Sequence, residues 1–158
     1  MTSRTTPNRT YTIMETANLS GLPESTLRYY ETIGLIDPIM RDTNSKHRVY
    51  GEEDVNLAVA IACLQATGLS IEDMRAYLQN RTRGAEAARE QVNLLEVQKD
   101  RLAVEAHFLK IRQKYVDTKI AYWKAVEQGD STRVEAMKTR ADTLARELKL
   151  PRPKAPER

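Results

Sequence analysis

Between Ala85 and Gln128 the chain contains neither glycine nor proline. Either residue would penalise a helix interior, by about 1 kcal/mol for glycine and about 3 kcal/mol for proline. Free of both, the stretch predicts one helix roughly 60 Å long at about 1.5 Å per residue. Leu95, Leu102, Leu109, Val116 and Trp123 recur along it at seven-residue intervals. Such a repeat is the pattern of a coiled coil, in which an apolar line must be buried against another helix. The second core line, Val92, Lys99, Ala106, Gln113 and Ile120, is interrupted by polar residues, which weaken packing but define register. A neighbouring stripe runs through Val97, Val104 and Ile111, extended by Leu94, Phe108, Tyr115 and Tyr122. These five heptad positions are the candidate dimerisation residues. The competing arrangement is a long helix inside a monomeric bundle.

After Gly129-Asp130-Ser131 the helix must break. Val134, Met137, Ala141, Leu144 and Leu148 follow a 3-4 spacing, so a helix over 130–149, its cap sought at Thr132, should fold back on the long one. Residues 150–158 are rich in proline and are expected to be disordered.

The first half reads differently. Residues 1–10 are polar, contain two arginines and predict a flexible arm. Thr12-Ile13-Met14-Glu15 has capping-box spacing, so a short helix should start there with Ile13, Ala17 and Leu19 turned inward. Gly21 supplies the turn, and Pro23 suits the first turn of a second helix that ends near Gly34. Two short helices around such a turn form a helix-turn-helix. Residues 36–50 change character: Pro38 and the run from Arg41 to Lys46 favour turns, while Val49 and Tyr50 favour strand. They predict a hairpin wing, about 36–40 paired with 47–50. Glu52, Glu53 and Asp54 open a third helix with Leu57, Ile61 and Leu64 inside. Gly68 ends it, and Ser70 caps a fourth with Ile71, Met74 and Leu78 inside. The fold class is therefore mainly α: a winged helix-turn-helix over 11–82, a long helix over 84–128, and a short terminal helix.

Charge alone does not name a partner. Residues 1–83 hold nine Lys/Arg and ten Asp/Glu, a net of −1, while the remainder is net +4. Any phosphate contact must be argued from single residues. No apolar run reaches the roughly 18 residues of a membrane span. A cytoplasmic location follows as the expectation. One cysteine, Cys63, and two histidines, His47 and His107, give no ligand cluster, so no metal or other cofactor is expected. No Ser/His/Asp set and no glycine-rich phosphate loop points to an enzyme.

The segment Thr26 to Leu35 (TLRYYETIGL), the wing end His47-Arg48-Val49-Tyr50, Glu52-Glu53-Asp54 and Gly68-Leu69-Ser70-Ile71-Glu72 stand in an order and spacing that resembles the MerR family of regulators. The resemblance covers about residues 11–80. It implies a homodimer with antiparallel long helices on a palindromic DNA operator. It also implies an over-long promoter spacer distorted for RNA polymerase, a form of indirect readout. By the same resemblance Arg28, Tyr29, Arg48 and Tyr50 face DNA, with Arg41 and Lys46 as basic wing-tip candidates; the alternatives are a partly structural Tyr50 and a merely solvated Arg41 or Lys46. Arginine suits bidentate phosphate or guanine contact. The sequence departs from the family at Ser45-Lys46-His47-Arg48, where a glycine is usual, and at Pro23, where a capping Ser or Thr is usual.

Ile61 to Ile71, with a lone Cys63, resembles the NmlR/AdhR-like subgroup, which implies a thiol that reacts with electrophiles. The alternative is that Cys63 is a small buried hydrophobe, as free cysteines commonly are. Two other functions stay open at this level. One is an architectural DNA protein with no inducer. The other is a ligand-responsive repressor whose pocket uses Tyr115, Tyr122 and Trp123.

Overall fold

The structure is a computed structural model that describes residues 9–149. The arm over residues 1–8 and the tail over 150–158 lie outside the described residues. The chain forms two compact units, one closing at Leu94 and the other beginning at Leu95.

In the first unit α1 (Ile13–Ser20) and α2 (Glu24–Thr32) flank a turn. Thr12 caps α1 as its spacing predicts. Its hydroxyl accepts from the Glu15 N–H at 3.2 Å, while the Glu15 carboxylate accepts from the Thr12 N–H at 2.8 Å. Gly21 ends α1 in the left-handed region (φ 78°), which only glycine adopts without cost, and its N–H reaches the Ala17 carbonyl. Pro23 stands at the N-cap of α2, one residue before the helix.

The wing is narrower than expected. β1 (Met40–Arg41) pairs antiparallel with β2 (Arg48–Val49), Met40 opposite Val49 and Arg41 opposite Arg48. Ile36 and Ile39, assigned to the strand on β-propensity, instead enter the core, and Tyr50 pairs by backbone with Tyr11. The hydrophobic demand of the core outcompetes extension of the hairpin.

α3 (Glu52–Ala66) and α4 (Ile71–Arg83) follow, and a short 3-10 turn, Gly84–Ala87, leads into α5 (Ala88–Glu127). The Asp54 carboxylate accepts from the Gly51 N–H, and Ser70 accepts from the Asp73 N–H, closing the two helix starts. Leu22, Leu27, Tyr30, Ile36, Tyr50, Ala58, Ile61 and Met74 form the core of this unit. Full burial of one such aliphatic side chain contributes about 1.5–3 kcal/mol. Leu19 and Ile71, both expected inside, are exposed. In α1 the inward line is Ile13, Thr16 and Ala17, and Thr16 takes the buried place because its hydroxyl satisfies itself on the Thr12 carbonyl.

The second unit is α5 from Leu95 onward with α6 (Ser131–Lys149). Gly129 (φ 70°) turns the chain between them. The α6 cap is Asp130, which accepts from the Arg133 N–H, rather than Thr132. Phe108, Ile111 and Leu144 are buried together, with Val104, Tyr115 and Leu148 packed against them. Among the described residues no helix is long and apolar enough to cross a membrane.

Candidate nucleic-acid interface

α2 divides its side chains sharply. Leu27 and Tyr30 are buried, whereas Ser25, Arg28, Tyr29 and Thr32 are exposed. The spacing i, i+3, i+4, i+7 puts those four on one face. Arg28 leans back on Glu24, its guanidinium 3.0 Å from the carboxylate, and both ends stay open to solvent. Tyr29 is 51% exposed, and its ring lies 6.0 Å from that of Tyr30.

Glu31 joins this helix to the wing. One carboxylate oxygen accepts from the Ile39 N–H at 3.1 Å, and the other accepts from Arg48 Nε. The Arg41 guanidinium stands 3.7 Å from Glu31 Oε1. Burial alone would raise the Glu31 carboxyl, but the Arg48 and Ile39 hydrogen bonds and the two guanidinium charges outweigh it and hold it below the usual carboxylate range. Both strands of the wing are thus tied to one side chain of α2. The Glu31 and Arg48 side chains are only 12% and 19% exposed, against 46% for Arg41. Glu31 stands within the Thr26–Leu35 segment, but local spacing assigns it no partner.

At the wing tip Asp42 stands in for the missing glycine turn. Its carboxylate accepts from the Asn44 and Ser45 N–H groups and from the Ser45 hydroxyl. These bonds, those of Ser45 first, hold its pKa below the ordinary value. Lys46 adopts φ 61°, the one non-glycine residue among those described with positive φ, and its ammonium reaches the Thr43 carbonyl. His47 at the tip is exposed.

Tyr50 does not reach this surface. It is 1% exposed, its hydroxyl is buried without a hydrogen-bond partner, and burial raises its pKa. The expectation of a phosphate contact there is corrected: its ring is needed to fill the core under the wing. Arg75, also unsuspected, donates to the Gly34 and Ile33 carbonyls at 3.1 and 2.9 Å, and so closes the end of α2. It lines an open cavity of about 680 Å³ with Asp37, Glu53, Asn56 and Gln79.

Cys63 is exposed on α3 in the single chain. The five heptad residues are exposed as well, from 41% at Leu102 to 62% at Trp123. Tyr115, Tyr122 and Trp123 line a cavity of about 260 Å³ between α5 and α6 with Lys119, Met137 and Lys138. Tyr122 and Trp123 meet edge to face at 5.1 Å, and Lys119 lies over the Tyr122 ring. Among the described residues no group of three or more His, Cys, Asp or Glu side chains could hold a metal.

Residues 11–81 match the model of the MerR HTH family regulatory proteins. The HTH-type transcriptional regulator AdhR of Bacillus subtilis is 39% identical over 90 residues, which is 57% of this chain and 64% of AdhR. YyaN of the same organism, an uncharacterised HTH-type regulator, is 37% identical over 44% of this chain. This chain spans 64% and 50% of the lengths of those two relatives. Among solved structures, HiNmlR, a regulator lacking the sensor domain and crystallised on promoter DNA, superposes with a TM-score of 0.64. It is 26% identical and covers 82% of this chain and 96% of its own. A putative regulator from Listeria monocytogenes gives a TM-score of 0.60 at 28% identity, covering 87% of this chain and 98% of its own.

Proposed function

We propose that the chain is a helix-turn-helix regulatory protein of the MerR family, whose model its residues 11–81 match, and that it controls transcription as a homodimer on a palindromic operator. The observation that carries this reading is the exposed α2 face of Ser25, Arg28, Tyr29 and Thr32, with a wing locked beside it through Glu31. A helix face of that width fits the major groove, and the wing then lies along the flanking backbone. Arg28 and Tyr29 read or anchor from the helix. Arg41 and Lys46 meet phosphates from the wing. Arg48 acts through Glu31 more than through DNA, because its Nε is already committed.

Two copies joined through Leu95, Leu102, Leu109, Val116 and Trp123 would present two such heads. The resemblance that supports this reading also supports distortion of an over-long promoter spacer in the presence of RNA polymerase. Footprinting on the DNA upstream of its own gene should show one or a few protected palindromes. Many dispersed sites would instead favour an architectural protein. Arg28→Ala should weaken operator binding at least about tenfold and, if the contact is to phosphate, flatten the salt dependence by about 0.9 in log–log slope. It should leave folding almost untouched, since an exposed i,i+4 pair contributes only about 0.3–0.5 kcal/mol.

The signal is assigned to Cys63. Its exposure, and the resemblance of Ile61 to Ile71 to the NmlR/AdhR-like subgroup, support a thiol that forms an adduct with an electrophile. A reporter whose electrophile response is unchanged by Cys63→Ser would remove the thiol from the mechanism.

A further inference from the structure

We propose that the cavity between α5 and α6 binds a small aromatic carboxylate, its carboxylate on the Lys119 ammonium and its ring against Tyr122 and Trp123. The site is separate from the thiol assigned above, because Cys63 belongs to the first unit and the cavity lies wholly within the second.

The cavity comes from a mismatch of side-chain volume. α5 brings Tyr115 and Tyr122 to it, seven residues or two turns apart, together with Trp123. α6 answers these three rings with Ala141 and Ala145, four residues apart and so on one face. Elsewhere along the same two helices large side chains meet large ones: Phe108 and Ile111 are buried with Leu144, and Leu148 packs beside them. Opposite the two alanines nothing of that size enters, and about 260 Å³ stays open. A contact that served packing alone would close this space with larger residues, since helix pairs in proteins are close-packed. Sites for drug-sized ligands start at about 300 Å³, so the space suits one ring rather than two. Mostly apolar walls with a few placed charges are the usual make-up of a small-molecule site. Met137, unbranched and polarisable, lies on the α6 wall and can adapt to a flat ring.

The charges choose the sign of the ligand. Lys138 is already matched: its ammonium donates to Glu135 at 2.8 Å, and the Asp142 carboxylate acts on the same group. Lys119 is in no ion pair among the described residues. Its nitrogen stands 5.3 Å from the centroid of the Tyr122 ring. Cationic ligands are taken up by aromatic residues in that same arrangement. Here a lysine of the chain holds the cation's place, and an anion completes its charge. A carboxylate meets the ammonium through a charge-assisted hydrogen bond, the stronger kind. Tyr122 and Trp123 stand 5.1 Å apart at 84°, a corner of two nearly perpendicular rings. A third ring packs into such a corner by edge or offset contacts. One group thus fixes the charge of the ligand and two fix its flatness.

Trp123 is the chain's one tryptophan, so its emission reports on the cavity it lines. The test is titration of the full chain with benzoate, followed by that emission and by calorimetry. Benzamide, neutral, and benzyltrimethylammonium, cationic, serve as competitors of similar size. Benzoate should saturate the site and bind at least about tenfold more tightly than either, the ratio expected of one charge-assisted bond. Lys119→Gln, an exposed position, should bring benzoate down to the level of benzamide. Ala145→Leu fills the cavity from the α6 side and should abolish benzoate binding with no fall in melting temperature. Cys63→Ser should bind benzoate as the parent does. Equal affinity for benzoate and benzamide, preference for the cation, or benzoate binding unchanged by Lys119→Gln or by Ala145→Leu would each overturn the proposal. So would the absence of saturation by benzoate in both measurements.

Discussion

Glu31→Gln isolates the latch between α2 and the wing. Glutamine keeps the shape of the side chain, and its carbonyl can still accept from the Ile39 N–H, 3.1 Å away in the parent. Its amide, however, turns a donor toward the Arg48 Nε–H, so the charge-assisted bond is lost. A hydrogen bond to a charged group contributes about 1.5–3 kcal/mol, and Arg48 at 19% side-chain exposure recovers only part of its solvation. The Arg41 contact, longer and half-exposed, adds little. The expected loss is about 2 kcal/mol at neutral pH, read as a lower urea midpoint with an unchanged slope. Because the folded-state pKa of Glu31 is depressed, its stabilisation is complete above the unfolded value, about 4.3, and disappears as pH falls through the folded value. The gap between the parent and Glu31→Gln should therefore close in the acid range. Equal stability at pH 7, or a gap that stays constant as the pH is lowered past 4, would refute the latch.

Three further outcomes follow from single side chains. Tyr50→Phe removes a buried hydroxyl that has no partner, so it should leave operator affinity unchanged and stabilise the fold by about 1 kcal/mol. A tenfold loss of DNA binding would put Tyr50 back at the interface. Lys46→Gly relieves a left-handed backbone worth about 1–2 kcal/mol and adds about 0.4–1 kcal/mol of unfolded-state entropy. A net gain of roughly 0.5–1 kcal/mol is expected, together with a shallower salt dependence of DNA binding if the ammonium meets a phosphate. Arg75→Ala strips two donors from the carbonyls of Ile33 and Gly34 and should cost about 2 kcal/mol in urea unfolding.

What could be read in advance was local. The Thr12 and Ser70 caps, the Gly21 turn and the periodicity of α5 all depend on residues within one or two turns of each other, so spacing alone predicts them. What could not be read depends on distant partners. Glu31 meets Arg48 across 17 residues, and Arg75 meets Gly34 across 41. Neither pair has a signature in sequence. Leu19 was misplaced because α1, eight residues long, offers too few positions to fix which face points inward, and Ile71 because it is the first residue of α4, at the open end of the helix. Tyr50 was misplaced because aromatic β-formers suit both a wing and a core, and only packing chooses between them.

The same distinction explains why net charge is a poor guide to the first half of the chain. That half carries one more acid than base, yet several of its acids are engaged within the fold. Glu15 is bound to the Thr12 N–H, Glu31 to the wing, Asp42 to the wing-tip amides, and Asp54 to the Gly51 N–H. Glu52 and Glu53 sit in the first turn of α3, where the helix dipole offsets their charge. A carboxylate held by backbone N–H groups projects a weaker field than its formal charge suggests. Arg28 and Lys46, by contrast, extend from an exposed helix face and an exposed tip. The potential a phosphate meets is set by charges within about one Debye length, roughly 8–10 Å at physiological salt. Among the nearby acids Glu31 stands by Arg41 and Arg48, and Glu24 pairs with Arg28. Contact with a phosphate must compete with that pair, and the cost is small because both groups are solvated. On the reading of α2 proposed above, Glu24 is the partner that Arg28 would exchange for a phosphate.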